Sequence, residues 1–183
     1  MSNTALIIVD MQNDYFPEGK WTLEGVEAAA ANTARVLEDF RQRGLPVVHV
    51  RHEFPSTEAP FFVPGSEGAK THKSLQPIAG EFQILKNEVN SFKDTELHQL
   101  LQREDITELV ITGAMSHMCI DAITRAASDL GYSNTVVHDA CATLDAEFNG
   151  VHVPAKHVHA AFMAALAFAY AEVVSTEALL SNR

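Results

Sequence analysis

Cys119, Asp10 and Lys86 are the residues of this sequence whose types could together carry a nucleophilic reaction. A thiol attacks a carbonyl carbon as the thiolate, and a cysteine in the first turn of a helix gains that form from the positive end of the helix. The stretch from about His117 to Leu130 reads as such a helix, stopped by Gly131, with Cys119 near its start. A carboxylate beside the thiol can take its proton and later return it to a departing amine, and Asp10 suits that role. A lysine between them would keep the carboxylate ionised and favour the thiolate, and Lys86 suits that one. Taken singly, each has a plainer reading: a packing cysteine, a turn aspartate, a lysine facing solvent. Their joint placement separates the two readings.

That placement follows from the order of elements. Thr4 to Val9 is a short apolar run of the kind buried on both faces of a sheet, and it ends at Asp10. Glu24 to Arg43 carries Val26, Ala29, Val36, Leu37 and Phe40 at helical spacing, closed by Gly44. Strands are predicted at Pro46 to Val50, around Phe82 to Lys86, at Glu108 to Thr112, Thr135 to His138 and Glu172 to Val174, separated by helices near 95–103, 117–130 and 154–170, with a short C-terminal helix. The segment 51–80, rich in Pro and Gly, reads as a long loop. Six strands alternating with helices predict an α/β fold, a three-layer αβα sandwich around a six-stranded, mostly parallel sheet, in a single domain. Ligands bind such sheets beyond the carboxyl ends of the strands. Asp10, Lys86 and Cys119 all fall on that edge.

Composition narrows the partners. In 183 residues, 46% are apolar and 20% charged, a balance that supports a packed core. The formal net charge of −11 lacks the basic footprint that nucleic acid or an anionic membrane would require. A small-molecule substrate is the expected partner. The N-terminus runs directly into a strand pattern without a secretion signal, and the alanine-rich stretch 160–171 is too short to span a bilayer. Cys119 and Cys141 are therefore expected as free thiols in the cytoplasm.

The motifs around these residues resemble the isochorismatase-like cysteine hydrolases over nearly the whole chain. Leu6-Ile7-Ile8-Val9-Asp10-Met11-Gln12-Asn13-Asp14-Tyr15-Phe16 resembles the family's first strand and its Asp-x-Gln-Asn-Asp turn. Lys86 with Asn90-Ser91-Phe92 is similar to its lysine segment, Thr112 to Ile120 to its nucleophile loop, and Asp139-Ala140 to the end of its next strand. The resemblance implies a catalytic triad of Asp10, Lys86 and Cys119. It also implies an oxyanion hole of the Met115 and Cys119 N–H groups, a cis peptide between Ala114 and Met115, and a homo-oligomer paired near the active-site loops.

The expected reaction is cleavage of a C–N bond in a small amide, carbamoyl or ureido compound through a thioester. Vinyl-ether hydrolysis of isochorismate is the alternative enzyme reading, which retention of Cys119 disfavours, and a non-catalytic binding protein is the third. Phe16 and Arg51 are the expected substrate contacts, Phe16 ahead of Trp21, Phe61 and Phe62 as an apolar wall. His117 could touch substrate or simply satisfy the loop backbone. Cys141 reads as packing. No cofactor and no metal is expected: nicotinamidase relatives place metal ligands after the second strand, where this chain has His49-Val50-Arg51-His52-Glu53, and a guanidinium cannot ligate a cation. His152, His157 and His159 show no shared face that would make them a metal site.

Overall fold

The computed structural model describes residues 3–181. β1 (Thr4–Val9) is buried from Ala5 to Val9, as an unbroken apolar run requires. In α1 (Val26–Gln42), Val26, Ala29, Val36, Leu37 and Phe40 recur at helical spacing and all are buried. There follow β2 (Val47–His52), β3 (Phe82–Lys86), α2 (Leu97–Arg103), β4 (Glu108–Ala114), α3 (Asp121–Asp129) and β5 (Ser133–Ala142). A hairpin of β6 (Ala146–Phe148) and β7 (Val151–Val153) leads to α4 (Ala155–Ala169), β8 (Glu172–Val174) and α5 (Thr176–Ser181).

The main sheet has the order β3-β2-β1-β4-β5-β8, and every pairing in it is parallel. One apolar layer joins Leu6, Ile8 and Val110 to α1, with Leu179 of α5 at its margin. The other joins Ala5, Ile7, Val9 and Ile111 to Leu97 and Leu101 of α2, Ile123 of α3 and Leu166 of α4. This is the expected three-layer sandwich, with residues alternating between layers as the pleat demands. The chain winds outward from β1 to β3 and then returns to the other side of β1 as β4. Strand order therefore reverses between β1 and β4, where a crevice for ligands is expected.

Four details differ from the sequence reading. β2 runs two residues past Val50, because Arg51 and His52 continue the ladder onto Leu85 and Lys86 of β3. β5 is longer than Thr135 to His138, with a register shift against β4 between Ile111 and Gly113 that lets Cys141 and Ala142 keep pairing. The hairpin β6–β7 carried no recognised strand signal. The helix expected from His117 begins instead as a π-helical turn over Ser116–Ile120, in which the Met115 carbonyl accepts from the N–H of Ile120 at 3.2 Å, and α3 starts only at Asp121.

Segment 51–80 is held by the residues that follow Asp10. The Gln12 side chain donates to the carbonyls of His52 (2.7 Å) and Ala69 (2.8 Å), and Asn13 Nδ2 donates to the carbonyl of Glu67 (2.8 Å). The Asp14 carboxylate accepts from the N–H of Phe62 at 2.7 Å. A Cβ on Gly68 would stand 2.2 Å from that carboxylate, so this close approach admits no side chain.

Candidate active site

Three strand ends converge on one buried cluster. Asp10 follows β1 with a left-handed backbone (φ 53°), a conformation in which aspartate is enriched, and its N–H donates to the Val50 carbonyl at 2.9 Å. Lys86 closes β3, where Ile84 and Lys86 are buried on the same face. Cys119 lies in the π-helical turn after β4, which approaches β1 so closely that a Cβ on Gly113 would fall 2.0 Å from the Val9 carbonyl oxygen. The Ala114–Met115 peptide ahead of the turn is cis. Asp10, Lys86 and Cys119 are 0%, 1% and 4% exposed.

The Lys86 ammonium is the centre of the cluster. Its Nζ forms an ion pair with Asp10 Oδ2 at 2.9 Å and donates to Cys119 Sγ at 3.3 Å, His52 Nδ1 at 2.9 Å and the Glu88 carbonyl at 3.0 Å. An ammonium has three hydrogens, and these three hydrogen bonds use them all. Among the described residues no aligned hydrogen bond reaches either Asp10 oxygen.

Charge states follow from burial and neighbours. Burial opposes the Lys86 ammonium, but Asp10 and Cys119 outweigh it and leave its pKa raised. Burial, reinforced by the Asp10 charge, pushes the Cys119 thiol well up, and Lys86 only partly opposes the rise. Burial, then the Lys86 charge, holds His52 down at about 4. The resting cluster is therefore a neutral thiol beside a carboxylate–ammonium pair and a neutral imidazole. The helix end that was expected to favour the thiolate is here a π-helical turn in which the thiol is desolvated, and burial outweighs any gain from that end.

One donor atom each from Asp10, His52 and Cys119 lies within 4.8 Å of the others, a set whose chemistry would suit zinc. The ammonium of Lys86 touches all three residues. A metal ion could bind here only by displacing it.

The family follows from comparison with known proteins. A model described as Isochorismatase domain matches residues 4–178. The chain belongs to the isochorismatase family. Within it, the chain is 50% identical over 177 residues to an uncharacterised isochorismatase family protein of Bacillus subtilis, covering 97% of this chain and 98% of that one. It superposes with a TM-score of 0.95 and 60% identity on a crystal structure from Oleispira antarctica assigned to the isochorismatase hydrolases, covering 97% of this chain and 96% of that one. It is 25% identical over 182 residues to a ureidoacrylate amidohydrolase of Agrobacterium fabrum, covering 80% of this chain and 79% of the relative.

This isochorismatase-family chain does not gather all the expected substrate contacts at the thiol. Phe16 stacks on His72 with ring centroids 3.7 Å apart, and both line a surface groove of about 1070 Å³ together with Arg51. Asp10, Lys86 and Cys119 are not among the residues lining that groove. Arg51 pairs with Glu53 and donates to the Ala69 carbonyl at 3.3 Å, because strand alternation turns it away from the face that His52 and Lys86 share. His117 Nδ1 hydrogen-bonds Thr143 Oγ1 at 2.6 Å, and its ring meets Phe162 edge-on. The loop-supporting reading of His117 is the one its contacts favour. Cys141 is buried and donates weakly to the Val137 carbonyl at 3.4 Å, as a packing residue would. His152 pairs with Asp145 at 3.3 Å, while His159 Nδ1 meets Ser116 Oγ at 2.7 Å.

His52 is the neighbour of the cluster that the sequence reading did not join to Asp10, Lys86 and Cys119. The signal was present: Val48, Val50 and His52 alternate on one face, and that face ends at Lys86.

Proposed function

We propose that this protein is a cysteine hydrolase that cleaves a C–N bond of a small amide, carbamoyl or ureido compound through a thioester. The observation carrying this reading is the Lys86 ammonium in contact with Asp10 Oδ2 at 2.9 Å and Cys119 Sγ at 3.3 Å. It stabilises negative charge on either partner, so a proton can pass from sulfur to carboxylate without leaving an unpaired buried anion.

In the proposed sequence Asp10 takes the Cys119 proton while Sγ bonds to the substrate carbonyl carbon. The carbonyl pair moves onto oxygen, where the N–H groups of Met115 and Cys119 receive it. Collapse of this intermediate breaks the C–N bond, and protonated Asp10 gives its proton to the leaving nitrogen. Water then adds to the thioester carbonyl and Asp10 takes its proton. The second collapse expels the thiolate and frees the acid, and the thiolate recovers the proton from Asp10. The amidohydrolase named among the relatives supports a substrate of this class.

The test is a panel of small amides, carbamoyl and ureido compounds assayed beside isochorismate, with the intact mass of the enzyme followed during turnover. Nitrogen release together with an acyl adduct on Cys119 is the expected result. Turnover of isochorismate that survives Cys119→Ser would replace this reading with vinyl-ether hydrolysis. Stoichiometric binding of a panel compound without any product would make the protein a binder.

A further inference from the structure

We propose that His52 is a positioning residue of this site: its Nδ1, with the Glu88 carbonyl, fixes two hydrogens of the Lys86 ammonium and thereby aims the third at Cys119 Sγ. This inference deepens the cysteine-hydrolase reading and rests on it.

The geometry carries it. An ammonium turns freely about its Cε–Nζ bond unless acceptors hold it, and its long stem tolerates several placements of the charge. Here Nδ1 of His52 stands 2.9 Å and the Glu88 carbonyl 3.0 Å from Nζ, leaving one hydrogen, which points at sulfur 3.3 Å away. Asp10 Oδ2, 2.9 Å from the same nitrogen, draws the ammonium by its charge but is less well aligned with its hydrogens than His52 and the Glu88 carbonyl. Without the imidazole, one hydrogen would be released to turn toward Asp10, and the thiolate would lose its directed donor.

His52 is itself held rigidly. Gln12 clamps its backbone on both sides, accepting from the N–H at 2.7 Å and donating to the carbonyl at 2.7 Å. Its ring lies against Phe54 and Phe62, with centroids 4.6 and 6.1 Å away. β2 and β3 pair it directly with Lys86. Because an ammonium only donates, Nδ1 must be the acceptor, so Nε2 carries the hydrogen. That buried N–H has no hydrogen-bond partner among the described residues. In a pocket walled by phenylalanine, a residue kept for packing alone would be better served by an apolar ring; the acceptor at Nδ1 is what an imidazole adds. Burial, helped by the Lys86 charge, outweighs the opposing pull of Asp10 and Glu88 and leaves His52 neutral and able to accept.

The test compares His52→Asn, His52→Gln and His52→Phe with the parent enzyme. Asparagine can place an oxygen near the Nδ1 position, glutamine reaches instead toward Nε2, and phenylalanine keeps the shape without an acceptor. The first readout is the pH profile of Cys119 alkylation by iodoacetamide, measured in a Cys141→Ala background. It needs no substrate, so failure of the substrate assignment leaves it readable. His52→Phe and His52→Gln should shift the profile upward and slow alkylation about tenfold at neutral pH, one unit of thiol pKa, while His52→Asn stays near the parent. On whichever substrate is identified, kcat should fall in the same order with KM little changed. A parent-like alkylation profile in His52→Phe overturns the proposal. If that variant does not fold, Asn and Gln variants indistinguishable from each other overturn it equally, because a purely structural role would not separate them.

Discussion

Replacing Glu81 with glutamine should destabilise the protein in a way that depends on pH, and the structure fixes both the size and the sign. The Glu81 carboxylate stands immediately before β3, the strand that carries Lys86. It accepts from Arg41 Nε at 2.7 Å and Nη2 at 2.9 Å, meets His49 Nε2 at 2.8 Å, and accepts from the Ile78 N–H at 2.9 Å. Burial alone would raise its pKa, but the Arg41 guanidinium, the Ile78 N–H and His49 outweigh it and bring it from 4.5 down to about 2. The side chain is only 8% exposed, so solvent screens this little. A drop of some two and a half units corresponds to about 3 kcal/mol of stability at neutral pH. A carboxylate depressed on folding contributes fully above its unfolded pKa near 4.5, and the contribution is lost as pH falls through about 2. Glu81→Gln should therefore cost about 2 to 3 kcal/mol at pH 7, or roughly 5 to 10 °C in Tm for a chain of this length. Urea unfolding of both proteins at neutral pH and at several acidic values should show the gap narrowing below pH 4.5. A Tm within about 2 °C of the parent at pH 7, or a gap independent of pH, would refute the assignment of stability to this charged network.

Other outcomes test the site. Cys119→Ser, Asp10→Asn and Lys86→Met should each reduce turnover by at least about 10³-fold, since residues acting as one unit fail together; Lys86→Met should also lower Tm, because it strands the buried Asp10 charge. Cys141→Ala should leave kcat within a factor of about two, because that thiol is buried within β5, its sulfur on the Val137 carbonyl of the same strand; loss of activity in a folded Cys141→Ala would mean the wrong thiol had been chosen. Chelation should leave activity unchanged, the Lys86 ammonium being the cation of the donor set, and a stoichiometric ion found by elemental analysis whose removal abolishes turnover would reverse that expectation. Sedimentation should detect a homo-oligomer at micromolar concentration, and Phe168→Glu, on a face of α4 where Ala160, Ala161 and Ala164 are also exposed, should dissociate it; a monomeric parent would count against the family-based expectation. No helix among the described residues is long and apolar enough to cross a membrane.

The sequence made legible what depends on local pattern. The order of strands and helices follows from apolar periodicity and from Gly44 and Gly131, and the rule that ligands bind at strand carboxyl ends was enough to bring Asp10, Lys86 and Cys119 to one edge. What stayed hidden depends on pairing across the sheet. His52 joins the cluster only because β2 and β3 pair it with Lys86, and a register of that kind is set by the partner strand. The polarity of Arg51 and His52 made them resemble the start of a loop. The same pairing decides where Arg51 points: one step along a strand turns its side chain to the face opposite His52 and Lys86. The charge of the resting thiol was also out of reach, since it depends on burial and on a π-helical turn that no spacing announces.

The anchoring of segment 51–80 has a consequence for how this scaffold could change specificity. Gln12, Asn13 and Asp14 grip residues 62–69 by hydrogen bonds, so that part of the segment is tied to the same turn that presents Asp10. Between His52, whose backbone Gln12 also holds, and Phe62 lie Pro55, Ser56, Thr57, Glu58 and Pro60, all exposed, where tolerance to insertion is expected. The segment thus divides into a fixed seat and an interchangeable stretch. A chimera that swaps only residues 55–60 for a longer stretch would leave the turn that carries Asp10 unaltered, whereas a graft that also replaced Phe62 or Gly68 would pull on that turn. Divergence within such a scaffold can therefore proceed by cassette, with the chain before Phe62 varied in length and the turn that carries Asp10 left untouched.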